Sequence, residues 1–156
     1  MKTSILVADD DDNDLRMIAM ALNEGGRPPA VNYVHDGDEA LDFLYARGRY
    51  SQGRGEGPAL IVLDLHMPRV DGWEVLRQVK ADARLKSIPV VIFSSSAREA
   101  DVRHCYDLGA NAYVVKPIEF ARFREAVAAI KLFWTEHNHS LRPGARNFHS
   151  TNSPFA

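Results

Sequence analysis

The sequence predicts an open, doubly wound α/β fold, with five parallel strands and helices on both faces of the sheet. Three observations carry this reading. Short apolar runs rich in β-branched residues recur five times, segments with helical spacing lie between them, and the two kinds alternate to the end of the folded part. Such alternation implies parallel strands joined by right-handed helical crossovers. A chain of 156 residues has no room for the eight units of a closed barrel. In an open parallel sheet the functional site is expected beyond the C-terminal strand ends, at a topological switch point.

The first strand is read at Ser4–Ala8, the others at 30–35, 59–63, 89–93 and 111–115. Several of these runs are apolar almost throughout, as strands covered on both faces are. After the first strand, Leu15, Ile18 and Leu22 form a helical stripe, with Asp12 or Asn13 as its cap. Ala40, Leu41 and Leu44 make a second stripe after Asp36-Gly37, and Val75, Leu76 and Val79 a third after Asp71-Gly72. Val102, Tyr106 and Leu108 precede Gly109, a helix-ending residue, and the serines after strand four start this helix at Ser96 or Ala97. The last helix is read over 118–137, with Phe120, Phe123, Val127, Ile130 and Trp134 along it; the first four are expected to cover the sheet. Residues 47–58 hold four glycines and three arginines and read as a loop insertion. The reading is therefore one domain over 1–138, followed by a flexible tail over 139–156.

Composition narrows the function. Apolar residues make up 46% and charged residues 26%, an ordinary globular mixture that argues against wholesale disorder. Cys105 is the single cysteine, so neither an internal disulfide nor a multi-thiolate zinc site is available. Its place in the fourth helical segment makes it an ordinary small helix residue rather than a redox switch. No run approaches the ~20 apolar residues that span a bilayer, and the N-terminus lacks the long apolar core of a secretory signal. A cytoplasmic protein without membrane contact is expected, which makes the Asn138-His139-Ser140 sequon incidental. A net charge of −2 sets up no field for nucleic acid, and Arg142 and Arg146 in the tail are too few for DNA binding. His137 and His139 read as an exposed helix end.

The chemistry collects at the strand ends. Strand one runs into Asp9-Asp10-Asp11-Asp12-Asn13-Asp14. Helix capping and the helix dipole account for the later acids, but not for Asp9 and Asp10 where the strand leaves the core. Two carboxylates ~4 Å apart repel by about 4 kcal/mol at an effective dielectric of 20, so a cation is expected there. An EF-hand loop is excluded: counted from Asp10, the sixth residue is Leu15 rather than glycine and the twelfth is Ala21 rather than glutamate. Oxygen-only ligation suits Mg²⁺, with Mn²⁺ as the alternative. Strand three ends in Asp64-Leu65-His66-Met67-Pro68, strand four in Ser94-Ser95-Ser96, and strand five in Lys116-Pro117.

Together these motifs resemble the receiver domain of bacterial two-component response regulators. The resemblance rests on Asp9-Asp10, on Leu63-Asp64-Leu65-His66-Met67-Pro68 with Asp71-Gly72, on Ser94, and on Tyr113-Val114-Val115-Lys116-Pro117, and it spans residues 4 to about 135. The loop before strand three and the aromatic-rich last helix resemble, more narrowly, the single-domain regulators that serve bacterial phytochromes. The resemblance implies a flavodoxin-like sheet in the order 2-1-3-4-5. It implies Asp64 as phosphoacceptor, taking a phosphoryl group from a sensor histidine kinase. Asp10 and Asp64 would ligate Mg²⁺ with the backbone carbonyl of His66, and Asp9 would act through metal-bound water. The His66 side chain would face the mouth of the site. Lys116 and Ser94 would contact phosphoryl oxygens; Ser94 stands where threonine is frequent, keeping the hydroxyl without the methyl. Ser94 and Tyr113 would form a switch altering the surface of helix four, strand five and helix five. The Lys116–Pro117 bond is expected to be cis.

Three other functions are weighed. A haloacid-dehalogenase-like phosphohydrolase also uses an Asp nucleophile and Mg²⁺, but needs a second acid where His66 stands. A flavin or nucleotide module needs a glycine-rich phosphate loop after strand one, where the acids would repel phosphate. A degenerate receiver that only binds a partner would not be expected to keep Asp10, Asp64, Ser94 and Lys116. Direct transcriptional control is not expected without an output region. Finally, Leu132, Phe133 and Trp134 point in successive directions ~100° apart and cannot all face one core, so Phe133 and Trp134 are expected at a homodimer interface.

Overall fold

A computed structural model describes residues 3–52 and 57–141. Five strands run in the chain as β1 (Ser4–Ala8), β2 (Ala30–Val34), β3 (Leu60–Leu63), β4 (Val90–Ser94) and β5 (Ala112–Val115). Between and after them lie α1 (Asp12–Asn23), α2 (Gly37–Leu44), α3 (Gly72–Ala81), α4 (Glu99–Asp107) and α5 (Phe120–Lys131). The sheet is parallel throughout, in the order β2-β1-β3-β4-β5. The chain reverses its direction of travel across the sheet between β1 and β3, so a crevice opens above their C-terminal ends.

Alternation along the strands divides the interior into two cores. Leu6, Ala8, Ile61, Leu63, Val90 and Ile92 point to one face, where α2, α3 and α4 bury Leu41, Leu76 and Cys105 against them. Ile5, Val7, Leu60, Val62, Val91 and Phe93 point to the other, against Leu15, Ile18 and Leu22 of α1 and Phe123, Val127 and Ile130 of α5. Each fully buried Leu, Ile or Val contributes about 1.5–3 kcal/mol, which makes β1, β3 and β4 the rigid base on which the loops stand.

Several boundaries differ from those the sequence suggests. Asp11, not Asp12 or Asn13, caps α1, its carboxylate accepting from the N–H groups of Asn13 and Asp14. Helix α4 starts at Glu99, because Ser96 is engaged in the preceding turn by other bonds. Its fully buried residue is Cys105, whereas Tyr106 is half exposed: α4 touches the sheet along a narrow strip. Phe120 does not cover the sheet; it sits at the very start of α5, 46% exposed, with the Arg124 guanidinium over its ring. Beyond Lys131 the helix widens into a π-helical turn, Leu132–His137. Part of the 47–58 insertion is tethered rather than loose. It forms a 3-10 turn, Gly48–Tyr50, whose Arg49 and Tyr50 both bond the Glu39 carboxylate on α2. Residues 53–56, and the tail residues from 142 onward with Arg142 and Arg146, lie outside the described residues.

Candidate phosphoacceptor site

The strand ladders place four side chains around the crevice. Asp9 follows β1, its N–H bonded to the Val34 carbonyl, and Asp64 follows β3, its N–H bonded to the Ala8 carbonyl. Both carboxylates thus leave the sheet one residue past its last pair, and both are buried, at 1% and 8% exposure. Ser94 ends β4 and is fully buried, while Lys116 follows β5 with its N–H on the Ser94 carbonyl at 2.7 Å.

The Lys116 ammonium closes the cluster. Its Nζ lies 2.7 Å from Asp9 Oδ2, 2.8 Å from Asp14 Oδ2 and 3.2 Å from Asp64 Oδ2. The Lys116–Pro117 bond, expected to be cis, is trans; no peptide bond among the described residues is cis. The β5 ladder carries Lys116 one residue beyond the strand, and its four-carbon stem reaches the acids without a chain reversal at the proline. Trans is also the preferred X–Pro isomer, by about 0.5–1 kcal/mol.

Asp14, which by sequence is one of the acids accounted for by helix capping and the helix dipole, belongs to this cluster. It sits in the first turn of α1, five residues after Asp9, and the helix brings it back over the crevice to Lys116. An acid in the first turn of a helix is ordinary, so the sequence carries no signal for this contact.

Asp9, Asp10 and Asp64 each offer a carboxylate oxygen, and the three oxygens lie within 4.8 Å of one another. Asp10 is exposed and closes the open side. This all-oxygen donor set, half buried and half open to water, fits a small divalent cation that keeps part of its hydration shell. Backbone bonds hold two of the donors: Asp9 Oδ1 accepts from the Asp11 N–H at 2.9 Å and Asp64 Oδ1 from the Leu65 N–H at 2.8 Å.

Electrostatics follow the geometry. Burial pushes the Asp9 carboxyl above the usual range, to about 6, although Lys116 and the Asp11 N–H pull the other way. For Lys116 burial opposes the charge, but the hydrogen bonds to Asp14 and Asp9 outweigh it and hold the ammonium well above its ordinary pKa. Lys116 is therefore a permanent cation directed at the end of β3.

The loop after Asp64 is clamped by close backbone approach. The Gly72 N–H bonds the Leu65 carbonyl at 2.8 Å, and a β-carbon at Gly72 would lie 2.7 Å from Leu65 Cα and 2.9 Å from the Asp64 carbonyl carbon. His66 is exposed, as expected of a residue at the mouth of the site, with its ring edge-on to Trp73 at 5.3 Å. Tyr113 pairs with Ile92 across β4 and β5, and its hydroxyl donates to the Ser96 carbonyl at 2.8 Å. Lys116, Asp9, Asp64 and Ser94 are thus brought to one crevice, with Tyr113 beside it. Phe133 and Trp134 lie elsewhere, on the turn after α5.

Comparison with known proteins agrees with this architecture. Residues 5–128 match the family model described as the response regulator receiver domain. The chain is 36% identical over 140 residues to the Probable methanogenesis regulatory protein FilR2 of Methanothrix harundinacea, covering 89% of this chain and 88% of that one. It is 35% identical over 132 residues to the response regulator Rcp1 of Synechocystis, covering 85% and 88%. A crystal structure of the Mn(2+)-bound form of Rcp1 superposes with a TM-score of 0.84 at 33% identity, covering 89% of this chain and 99% of that one. The phosphorylated cyanobacterial phytochrome response regulator RcpA superposes with a TM-score of 0.85 at 37% identity, covering 90% and 99%. No helix among the described residues is long and apolar enough to cross a membrane. With the order of its strands, the residues at their ends and the family model in agreement, the chain belongs to the response regulator receiver family.

Proposed function

We propose that the protein is a phosphoacceptor of a two-component pathway, taking a phosphoryl group from a histidine kinase onto Asp64. The convergence of Lys116 Nζ on Asp9, Asp14 and Asp64 carries the reading. A buried cation among carboxylates at the C-terminal strand ends is what an incoming phosphoryl group requires. An Asp64 carboxylate oxygen attacks phosphorus, the P–N bond to the kinase histidine breaks, and an acyl phosphate forms. Lys116 and the Ser94 hydroxyl hold the phosphoryl oxygens. Asp10 and Asp64, with the His66 backbone carbonyl, would hold Mg²⁺ or in its place Mn²⁺, and Asp9 would support it from the buried side. The cation supplies charge neutralisation on the transferring group. Ser94 then draws toward the phosphoryl group, and Tyr113 relays the change to the surface of α4, β5 and α5.

The likeness to Rcp1 and to the phytochrome response regulator RcpA supports a phytochrome-type sensor as the kinase, and we propose a cytoplasmic setting for the pair. We also propose a homodimer through the turn after α5. Leu132 and Phe133 are 55% and 52% exposed there. Trp134 packs on the α1/α5 core and meets the Phe133 ring edge-on at 4.9 Å, so Phe133 presents the outward face and Trp134 supports it. Light scattering should give a dimer that Phe133→Glu splits; a strict wild-type monomer would refute this part.

The central test is incubation with acetyl phosphate and Mg²⁺, followed by trapping of the acyl phosphate and mass spectrometry. Modification at Asp64, abolished by Asp64→Asn and by chelation, is expected. Modification that persists in Asp64→Asn would overturn the assignment, and a wild-type chain that takes no phosphoryl group would be a binding module only.

A further inference from the structure

We propose that Asp101 is a positioning residue for the Asp64 site, acting through Ser96 to hold the turn that aims the Ser94 hydroxyl. This rests on the reading of Asp64 as phosphoacceptor and adds a residue to it.

Ser94 is fully buried at the end of β4, and its Oγ accepts from the Ser96 N–H at 3.3 Å. That bond anchors the Ser94 oxygen, and with it the side-chain rotamer, at the end of β4. Ser96 therefore sets the direction of Ser94, and Ser96 is itself gripped from two other elements. Its hydroxyl donates to Asp101 Oδ2, on the first turn of α4, at 2.6 Å. Its carbonyl accepts from the Tyr113 hydroxyl, on β5, at 2.8 Å. Its Oγ also accepts from the Arg98 N–H at 3.3 Å. Ser96 is the joint at which β4, α4 and β5 meet.

Among these bonds, the one to Asp101 is short and charge-assisted, which makes it the strongest of the set. A serine hydroxyl has one proton to give. Donated to Asp101, it fixes the Ser96 rotamer and helps to hold the two peptide groups that meet at Ser96, one sending its N–H toward Ser94 and the other its carbonyl toward Tyr113. Without the carboxylate, the Ser96 side chain keeps only the long bond from the Arg98 N–H, and the other bonds loosen together. An ordinary helix-capping role for Asp101 predicts something different: lost stability of α4, with no change in how the crevice treats a phosphoryl group.

The test uses the full chain, with Mg²⁺ and fluoroberyllate as the phosphoryl mimic. Binding is followed by intrinsic fluorescence, since Trp73 packs beside His66, two residues after Asp64. Asp101→Ala should weaken fluoroberyllate binding, and slow acyl phosphate formation from acetyl phosphate, about tenfold, the loss expected of one hydrogen bond to a charged group. Affinity for Mg²⁺ alone should stay unchanged, because Asp101 does not belong to the carboxylate cluster. Asp101→Asn, whose amide oxygen still accepts, should restore most of the loss. Ser96→Ala should match Asp101→Ala, and the double variant should be no worse than either single one. If Asp101→Ala proves too unstable to assay, the contrast between Asp101→Asn and Ser96→Ala decides. Wild-type behaviour in Asp101→Ala, or additive losses in the double variant, would overturn the proposal. A wild-type chain that ignores fluoroberyllate would instead overturn the phosphoacceptor reading, and this one with it.

Discussion

Replacing Gly72 with alanine tests whether close backbone approach sets the position of Asp64. The new β-carbon would meet the Asp64 carbonyl oxygen and would lie 2.7 Å from Leu65 Cα. Carbon atoms in favourable contact sit ~3.5–4 Å apart, so α3 and the end of β3 must separate by about 0.8 Å or more. That displacement stretches the Gly72-to-Leu65 hydrogen bond, now 2.8 Å, out of bonding range. The lost bond costs about 1 kcal/mol and the overpacking about 1–3 kcal/mol. Alanine's better helix propensity returns up to ~1 kcal/mol. A net loss of about 1–4 kcal/mol is expected in urea unfolding. The functional loss should be larger in proportion, since a ~1 Å misplacement of a reacting group can cost on the order of 100-fold in rate. Acyl phosphate formation from acetyl phosphate is the assay. Gly26→Ala is the control, because a β-carbon there meets nothing within 4 Å and the backbone needs no left-handed angle. If Gly72→Ala matched Gly26→Ala in both stability and rate, the clamp would have no role in aiming Asp64.

Further outcomes are expected from the charged cluster and the buried thiol. Burial raises the Asp9 pKa to about 6, so between about pH 4 and 6 the folded state keeps a proton that the unfolded chain has released. Metal-free stability should therefore fall as pH rises through that window, by at most about 3 kcal/mol. Urea midpoints in EDTA, compared between wild type and Asp9→Asn, isolate the effect; a difference independent of pH would contradict it. Lys116→Met leaves buried carboxylates unpaired and should cost about 3–5 kcal/mol at pH 7 in EDTA, less at pH 5; an unchanged midpoint would refute the cation's role. Cys105 is fully buried, and burial pushes its thiol up to about 11. Iodoacetamide at pH 8 should label it only after unfolding; rapid labelling of the folded chain would contradict that placement.

The sequence made the sheet and most of the site legible for one physical reason. Strands buried on both faces are apolar throughout, so the point where a run stops at Asp9, Asp64 or Ser94 marks where the chain leaves the core, and the half-buried edge strand β5 is apolar enough to stop as clearly at Lys116. Features that depend on which way a side chain turns in three dimensions were not legible. Asp14 has the composition of a capping acid, and only the path of α1 relative to β5 brings it to Lys116. Phe120 fits the apolar period of α5, but periodicity does not reveal that the helix begins beyond the cover of the sheet. Tyr106 fails in the same way on α4, where Cys105 takes the buried position. The isomer at Lys116–Pro117 followed the resemblance rather than the residues, and the length of the lysine side chain removed the need for it. The bonds that gather on Ser96 run partly through its backbone N–H and carbonyl, which no residue letter encodes.

The division of the interior into two cores has a consequence for how such a protein can diversify. β1 from Ile5, β3 and β4 present almost no side chain to solvent, so nearly every residue along them is tied to one core or the other. The chemistry at their ends is thereby insulated from drift: a substitution on the outer face of α1 or α5 reaches Asp64 only by deforming a strand packed on both sides. The outward faces of the helices are free of that constraint. One unchanging reaction centre can therefore be issued with many different exteriors, and a lineage of such chains can change its associates without relearning its chemistry.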